Sequence, residues 1–465
     1  MANDRAIRTL GVWKSLGLVM GAAGAFTLAY AISWGGYFMV GFLFCLFALA
    51  KYGTTRQVFY LGLATGMLIY SINLFFFYTI FQAAAIVFWL ILSFILALFL
   101  LTARFCFAGF KPVVAAMVIP FVWTGFEYFR SELYYLRFSW ANVGYAFSRW
   151  PVLPFGIVGV YGAGFLMSAY AIVLLTVRRK KVAVGVTVLS ACALVLLLPA
   201  HPRPDPGNAR VRVAGVQLES PMEHQVFGLL NQLQQKFPET DLFVLSEYAF
   251  DGPVPDRIKR WCREHQRYLI AGGKEPAANG NYYNTAFVIG TNGEVAFKQV
   301  KSVPVQFFKD GMPAQEQNLW ASPWGKIGIC LCYDFSYARV TDRLIRLGAQ
   351  AMIVPTGDLS DWGVQEHELH SRVAPVRAAE YGIPIFRLSC TGVSQLVNRA
   401  GEIEASAPSL GQFATISGAL EFGKPGRLPL DRILAPLSVL VTVAVVGCLL
   451  LGLVRRRPSR SGTAG

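Results

Sequence analysis

The chain has 465 residues, of which 54% are hydrophobic, and its mean hydropathy is +0.46. This is too apolar for an ordinary soluble protein of that length, so a membrane protein is expected. The net charge of +15 is unevenly placed, because residues 210–430 contain 22 basic and 22 acidic residues while the rest has 20 basic and 5 acidic ones. The positive charge therefore does not indicate a nucleic-acid partner.

The apolar stretches predict a multi-pass α-helical bundle of about eight spans, since each stretch approaches or exceeds the roughly 18–20 residues that cross a bilayer. They lie at residues 12–32, 35–50, 57–79, 83–105, 110–129, 151–177, 181–199 and 433–454. Seven spans form a membrane domain over residues 1–200. The last span and a basic tail form the segment 430–465.

The basic residues indicate the topology. Most lie in alternate gaps between the spans, and the gap near 130–150, with Arg130, Arg137 and Arg149, is the exception. By the positive-inside rule, both termini are predicted to be cytoplasmic. The block after the seventh span then lies on the outer side, and anionic lipid is expected as a secondary partner.

A globular domain is predicted over residues 210–425, after a Pro-rich linker at 201–209. Strand-like and helix-like runs alternate in it, which is typical of an α/β fold with helices covering sheets. The strand-like runs are 211–218, 242–246, 268–272, 285–290, 327–332, 351–355 and 383–389. The helix-like runs are 224–236, 256–265, 336–347 and 364–381.

Three ionisable residues of this domain, Glu247, Lys301 and Cys332, each lie at the end of an apolar run. We predict that the cysteine is a nucleophile, the glutamate its general base and the lysine the stabiliser of an oxyanion. The backbone N–H of Tyr333 is a second oxyanion donor, and Asp334 is expected to pair with the lysine. Taken singly, the three could equally be a structural cysteine, a helix-capping glutamate and a solvated lysine. Their joint occurrence favours acyl transfer through a thioester.

The order Glu-Lys-Cys resembles the nitrilase, or carbon–nitrogen hydrolase, superfamily. The similar segments are Ser-Glu-Tyr around Glu247, Lys-Ser-Val-Pro-Val-Gln-Phe from Lys301 and Cys-Tyr-Asp from Cys332. Residues 283–286 and 372–384 are similar as well. The resemblance implies an αββα sandwich with this catalytic trio.

With the predicted membrane spans on both sides of this domain, the whole chain is similar to the apolipoprotein N-acyltransferase family, which has seven spans, an outer nitrilase domain and one last span. In the bundle, Trp123, Glu127 and Arg130 resemble a Trp…Glu…Arg segment of that family, and the stretch with Trp140 and Tyr145 resembles an outer loop. The candidate substrate-binding residues among them are Glu127, Arg130, Trp140 and Tyr145. An interfacial aromatic belt and an interfacial ion pair are the alternative explanations.

The resemblance implies that Cys332 takes a fatty acyl chain from a membrane phospholipid, with phosphatidylethanolamine as the donor. The chain then passes to the N-terminal amine of a diacylglyceryl-cysteine lipoprotein, in a ping-pong reaction without a cofactor. The family resemblance also implies the bacterial inner membrane. Two alternatives remain open: a membrane-tethered nitrilase-type amidase or hydrolase that uses water, and a non-catalytic relative.

The lysine segment departs from the family pattern. Lys301 is preferred because the residues after it align best, and Lys298 is the alternative. The family's second glutamate falls on Lys309, so Asp310 is the candidate to replace it. Asp334 stands where the family has a glutamate after the cysteine.

Aromatic residues near the predicted trio are candidates for a lid or rim. Phe307 and Trp362 are the candidate substrate-binding residues among them, and core packing explains them equally well. The pair His367 and His370, near two glutamates, is one residue short of the usual helical metal pair. We therefore expect no metal there and predict a solvated helix face.

Overall fold

The computed structural model describes residues 10–150, 152–177 and 209–455. The first two ranges form a helical bundle. Thr54, for example, caps one of its helices through a reciprocal pair of hydrogen bonds with Gln57. The helices are α1 (Val12–Ala31), α2 (Phe38–Tyr52), α3 (Thr55–Asn73), α4 (Phe76–Phe81), α5 (Ala85–Gly109), α6 (Pro112–Tyr128) and α7 (Phe155–Thr176).

The prediction of a multi-pass helical bundle is confirmed. Within the described ranges, six helices are long and apolar enough to cross a membrane: Val12–Ala31, Gly35–Tyr52, Phe76–Gly109, Pro112–Leu133, Phe155–Thr176 and Asp431–Gly452. Helix α3 is not among these six, but it packs closely on α5, where a Cβ added to Gly66 would lie 2.6 Å from the Ser93 Cα. The expected span at 181–199 lies outside the described residues.

The globular domain contains twelve strands and five helices among its described residues. They are β1 (Arg210–Val216), α8 (Glu223–Lys236), β2 (Leu242–Val244), α9 (Asp256–His265), β3 (Tyr268–Pro276), β4 (Tyr282–Ile289), β5 (Val295–Val300), β6 (Leu319–Ser322), β7 (Gly325–Ile329), α10 (Ala338–Arg346), β8 (Ala351–Thr356), α11 (Val364–Ser371), α12 (Val373–Tyr381), β9 (Ile385–Ser389), β10 (Ser394–Val397), β11 (Ile403–Ala407) and β12 (Thr415–Glu421). Helix α13 (Asp431–Arg455) follows the domain.

The strands form two six-stranded sheets, in the orders β12-β1-β2-β3-β4-β5 and β11-β10-β9-β8-β7-β6. Buried apolar side chains of both sheets, such as Ile270 and Ile353, pack against each other to form the central core. Helices α8 and α9 cover the first sheet with residues such as Leu230 and Trp261. Helices α10 and α12 cover the second sheet, so the αββα sandwich is confirmed.

Two expected elements differ from the structure. The predicted strand 327–332 ends at Ile329, because Cys332 has a φ of +48°, which an extended strand cannot contain. The predicted helix 364–381 is divided at Arg372 into α11 and α12.

The outer helices of the second sheet also contact the membrane bundle. The Glu380 side chain on α12 accepts a hydrogen bond from the Val160 N–H on α7, at 2.7 Å. In the other direction, Glu132 accepts a hydrogen bond from the Ala338 N–H at the start of α10, at 3.0 Å. These charge-assisted bonds fix the second sheet, and the residues that follow its strands, against the bundle.

A buried ion-pair network joins α13 to the domain. The Arg432 guanidinium lies 2.8 Å from Asp342, 3.3 Å from Glu380 and 2.7 Å from Asp431. Asp431 in turn packs against Gly159 of α7, whose φ is +69° and where an added Cβ would collide with the carboxylate. Only glycine fits this approach of the last helix to the bundle.

We predict that Arg432→Ala destabilises the folded protein by about 3–5 kcal/mol, because it leaves buried carboxylates without their cation. Denaturant unfolding in detergent measures the change. Arg346→Ala is the control, since Arg346 is an exposed arginine on α10. Equal unfolding midpoints for the two variants would contradict the importance of this network.

Candidate active site

Three strand ends bring Glu247, Lys301 and Cys332 together between the two sheets. Lys301 directly follows β5, and the other two lie three residues after β2 and β7. The lysine Nζ is 2.9 Å from Glu247 Oε1, and all three side chains are buried. Both Glu247 and Lys301 interact electrostatically with the thiol of Cys332. The structure therefore brings the predicted trio into one site.

Lys301 is shared between two carboxylates. Its Nζ lies 2.7 Å from Asp310 Oδ2, in addition to the pair with Glu247. Asn284 Nδ2 donates to Glu247 Oε1 at 2.6 Å and to Asp310 Oδ1 at 2.9 Å. The aspartate that the sequence offered as a replacement for the second family glutamate thus contacts the lysine directly. Asn284 is a site residue whose role the sequence did not reveal.

The two remaining expectations for this segment have different outcomes. Lys298 is on the surface, where it pairs with Glu275 at 2.6 Å. Asp334 does not pair with the Lys301 ammonium as expected. Its carboxylate instead accepts hydrogen bonds from the N–H groups of Ser302 and Val303, at 2.9 and 2.6 Å. Asp334 therefore fixes the backbone that follows the lysine, and the ammonium is left to the other carboxylates.

Cys332 lies in a strained turn that glycine contacts support. Its positive φ is unfavourable for a residue with a side chain, and Tyr248, next to Glu247, has a φ of +55°. The Gly357 N–H hydrogen-bonds to the cysteine thiol. A Cβ on Gly357 would lie 2.6 Å from Glu247 Oε2, so glycine lets the thiol and the carboxylate approach the same segment.

Burial and charge set the ionisation of the site. Burial raises the pKa of the Cys332 thiol well above its ordinary value, with the Glu247 carboxylate adding to the effect. Burial also raises the pKa of Glu247, although Lys301 opposes it. For Lys301, burial would lower the pKa, but the Asp310 and Glu247 carboxylates outweigh it and raise the pKa well above the ordinary range. The pKa of Asp310 is lowered, because the lysine outweighs the effect of burial.

The carboxyl group of Asp334 loses its proton less readily than that of Asp310. Burial raises its pKa to about 7, against the opposing effect of its backbone hydrogen bonds. The site thus combines a lysine with a raised pKa, an aspartate with a lowered pKa and a second carboxylate, Glu247, whose raised pKa makes it a stronger base than an ordinary carboxylate.

A cleft with about 790 Å³ of empty space, part of which is open solvent, leads from Cys332 to the bundle. Apolar side chains form most of its wall, with Phe76, Phe77, Ile80, Phe81, Phe88, Leu92, Leu136, Phe138 and Trp140 from the bundle and Val305, Phe307, Phe308, Tyr333 and Trp362 from the domain. Three predicted substrate-binding residues, Trp140, Phe307 and Trp362, therefore line the same cleft as the cysteine. The phenylalanines of α4 and α5 were missed, because they lie far earlier in the chain and read as ordinary membrane residues.

The loop of the domain that follows Lys301 meets the bundle inside this cleft. The Phe307 ring centroid is 5.6 Å from that of Phe88 and 6.0 Å from that of Phe81. Phe308 lies 5.8 Å from Phe81 and 5.6 Å from Trp362. These aromatic contacts, rather than core packing, explain why the loop carries two phenylalanines.

The other predicted bundle residues lie outside the lining of the cleft. Glu127 accepts a hydrogen bond from the Val143 N–H at 2.8 Å, and Arg130 donates to the Asn142 side chain. Tyr145 is buried on the same loop. Together they hold the loop that carries Trp140, whose indole donates to Ser336 Oγ at 2.8 Å beyond the cysteine turn.

Glu366, His367 and His370 of helix α11 are buried, so the predicted solvated face is wrong for these three residues. The helix lies between the sandwich and the bundle, and the His370 ring stacks on Trp140 with centroids 4.7 Å apart. A ring nitrogen of His370, an Asp358 oxygen and the Cys332 sulfur lie within 4.8 Å of one another, a spacing that could suit a metal. Asp358 already forms an ion pair with Arg387 and a hydrogen bond with His370 Nδ1, so its carboxylate and that ring nitrogen have protein partners.

Family models match both parts of the chain. The apolipoprotein N-acyltransferase N-terminal domain matches residues 17–173, and the carbon-nitrogen hydrolase model matches residues 225–420. Among solved structures, the chain is similar to Saccharomyces cerevisiae Nit3, a member of branch 10 of the nitrilase superfamily. That match has a TM-score of 0.39 and 20% identity, and it covers 48% of this chain and 93% of that one.

Curated relatives extend the match across the domain boundary. An apolipoprotein N-acyltransferase of Geobacter metallireducens is 23% identical over 445 residues, covering 79% of this chain and 82% of that protein. One of Shewanella oneidensis is 23% identical and covers 68% and 71%. The omega-amidase of Xenopus tropicalis is 26% identical over 185 residues, covering 35% and 66%. The chain belongs to the apolipoprotein N-acyltransferase family and is a bacterial membrane acyltransferase.

Proposed function

We propose that this acyltransferase moves a fatty acyl chain from a membrane phospholipid to the N-terminal amine of a diacylglyceryl-cysteine lipoprotein, through a thioester on Cys332. The single observation that carries the proposal is the position of the thiol. It lies beside a buried Glu247–Lys301 pair and at the inner end of an aromatic cleft that the bundle helices line. Lipid and lipoprotein partners fit the family, and phosphatidylethanolamine is the donor that the resemblance implies.

The first half-reaction begins with proton transfer from the thiol. Because the pKa of Cys332 is raised, the thiolate forms only when a base accepts its proton, and Glu247 is in place to do so. The sulfur attacks the ester carbonyl and forms the C–S bond. Lys301 and the Tyr333 N–H stabilise the oxyanion. The C–O bond then breaks, and the lysophospholipid oxygen leaves with the proton that Glu247 had accepted.

In the second half-reaction, the amine of the lipoprotein attacks the thioester carbon. The C–N bond forms, the C–S bond breaks, and Glu247 accepts the proton that the attacking nitrogen loses. The thiolate of Cys332 then recovers a proton. Since Asp310 remains ionised beside Lys301, the lysine keeps its charge while Glu247 changes protonation state in each half-reaction.

The cleft supports lipid substrates on physical grounds. Both substrates carry acyl chains, which cannot leave the bilayer for a polar site without a large cost in apolar exposure. The lining of Phe76, Phe81 and Phe88 comes from helices of the bundle, so a chain can extend from the membrane to the cysteine. We accordingly propose that the domain lies outside the cytoplasmic membrane, with both termini cytoplasmic and with the domain boundaries given by the linkers.

The second candidate is an amidase or hydrolase that uses water on the same trio. It is favoured by the carbon-nitrogen hydrolase match over residues 225–420. The aromatic cleft that joins bundle and domain favours the transferase, because hydrolysis of a small amide needs no acyl-chain path.

We predict that an alkylating reagent labels Cys332 preferentially and that Glu247→Gln slows this labelling at least about tenfold, because the base is lost. In the wild type, the rate should rise with pH above the ordinary carboxyl range, since Glu247 is protonated, and inactive as a base, below its raised pKa. Peptide mass spectrometry measures the rates. Cys448 is the internal control, because it is exposed and distant on α13. Equal labelling of Cys332 in the two proteins would contradict the assigned base.

We also predict a stable acyl-enzyme when the purified protein meets phosphatidylethanolamine without an acceptor. Intact mass should show an acyl adduct that hydroxylamine removes and that Cys332→Ala lacks. A diacylglyceryl-cysteine peptide should discharge the adduct and become acylated. Release of free fatty acid with no gain by the peptide would instead support the hydrolase, and no adduct on folded protein would contradict both.

A further inference from the structure

Helix α11 places two ionisable side chains in the wall of the cleft that the reaction outlined above does not use. Glu366 and His370 are four residues apart, so they lie on the same face of the helix. Each is about 1% exposed, and both line the cleft with Cys332. A ring nitrogen of His370 is within 4.8 Å of the cysteine sulfur.

Within the described part of the chain, Glu366 has no paired arginine or lysine, whereas the nearby Asp358 has one. Asp358 is paired with Arg387 and accepts a hydrogen bond from His370 Nδ1 at 2.7 Å. Among the described residues, neither carboxylate oxygen of Glu366 has a hydrogen-bond partner. The nearest ionisable groups in its ion-pair contacts are His370 Nδ1, at 3.8 Å, and His367 Nε2, at 3.9 Å. A buried carboxyl group in this condition is costly unless a ligand supplies the partner.

The histidine points to the same kind of ligand. Its Nδ1–H is committed to Asp358, which leaves Nε2 as a hydrogen-bond acceptor in the neutral ring. Nε2 likewise has no partner among the described residues. Burial lowers the pKa of His370, which favours the neutral ring. The cleft wall thus presents unpartnered acceptors on Glu366 and His370, and a ligand that satisfies both must carry several N–H donors.

We propose that Glu366, with the His370 ring beside it, binds the primary ammonium group of a substrate in the cleft. This proposal rests on the proposed function, in which the acceptor has a terminal amine and phosphatidylethanolamine has an amine in its head group. An ammonium supplies three N–H donors and the positive charge that Glu366 lacks. Glu366 is therefore a substrate-binding residue of the cleft that Cys332 also lines.

If the acceptor amine is the ligand, the site also prepares the nucleophile. The ammonium gives one proton to the Glu366 carboxylate, which leaves a neutral amine and a neutral carboxylic acid. The lone pair of the amine then forms the C–N bond as the C–S bond to Cys332 breaks. Glu247 accepts the second proton that the nitrogen loses and returns it to the Cys332 thiolate, and the proton on Glu366 is released to solvent. Burial, together with the nearby Asp358 charge, raises the pKa of Glu366, which makes the first proton transfer, to Glu366, easier than it would be to an exposed carboxylate.

The test separates the two half-reactions in Glu366→Gln, which keeps the shape of the side chain and removes its charge. Acyl-enzyme formation is measured with phosphatidylethanolamine and with phosphatidylglycerol, whose head group has no amine. Discharge is measured with the diacylglyceryl-cysteine peptide and with hydroxylamine, which is uncharged at neutral pH. Glu368→Gln is the matched control, since Glu368 lies on the same helix but pairs with Arg149 near the surface.

For an acceptor site, Glu366→Gln should slow discharge to the peptide about tenfold or more, while discharge to hydroxylamine and acylation by both lipids stay at the wild-type rate. For a donor head-group site, acylation by phosphatidylethanolamine should fall by that factor and the other rates should not change. Glu368→Gln should leave all four rates unchanged. Unchanged rates in Glu366→Gln, or an equal loss in every step including hydroxylamine discharge, would overturn the proposal.

A binding measurement tests the proposal independently of any catalytic rate. Wild-type and Cys332→Ala protein should both bind dodecylammonium and should bind dodecanol, its uncharged counterpart, at least about tenfold more weakly. Equal binding of the two probes would overturn the ammonium site. If the wild type formed no acyl-enzyme yet preferred the ammonium probe, the thioester mechanism would fail and this site would stand.

Discussion

One buried ammonium shared by two buried carboxylates is the constraint on which the site depends. Lys301 can remain charged in the interior only because Asp310 and Glu247 lie beside it, and the unit as a whole carries one excess negative charge. Burial raises the pKa of Glu247, whereas the pKa of Asp310 is lowered, so Glu247 is the more basic of the two carboxylates. Asn284 supports this arrangement by donating a hydrogen bond to Asp310, and Asp334 supports it by accepting one from the backbone N–H of Ser302, next to the lysine.

The same principle joins the sandwich to the membrane bundle. Buried charges at the outer face of the second sheet, around Arg432 and Glu380, are satisfied in part by groups from the bundle and from α13. This contact sets where the cysteine turn lies relative to α4 and α5. An aromatic cleft that reaches the Cys332 thiol then forms from two parts of the chain, and neither part could form it alone.

Much of this could be predicted from sequence because it depends on local pattern. Apolar runs that end in Glu247, Lys301 and Cys332 indicated the trio, and the alternation of strands and helices predicted an α/β fold with covered sheets. The αββα sandwich itself was implied by the family resemblance. Other features depend on distant contacts. The partner of Asp334 is a backbone segment, and the burial of α11 follows from its position between bundle and domain, although its polar composition indicated solvent. Strand pairing at the edges, as in β10 to β12, likewise has weak local signals.

The most direct test of the account uses a phospholipid whose acyl chain carries a photoactivatable diazirine. After transfer to Cys332, irradiation and peptide mapping would report what surrounds the chain while it is bound to the enzyme. The account predicts crosslinks on α4 and α5, near Phe81 and Phe88, and on the loop with Phe307 and Phe308. Crosslinks confined to the solvent-facing helices α8 and α9 would contradict the claim that the acyl chain runs from the cysteine into the membrane bundle.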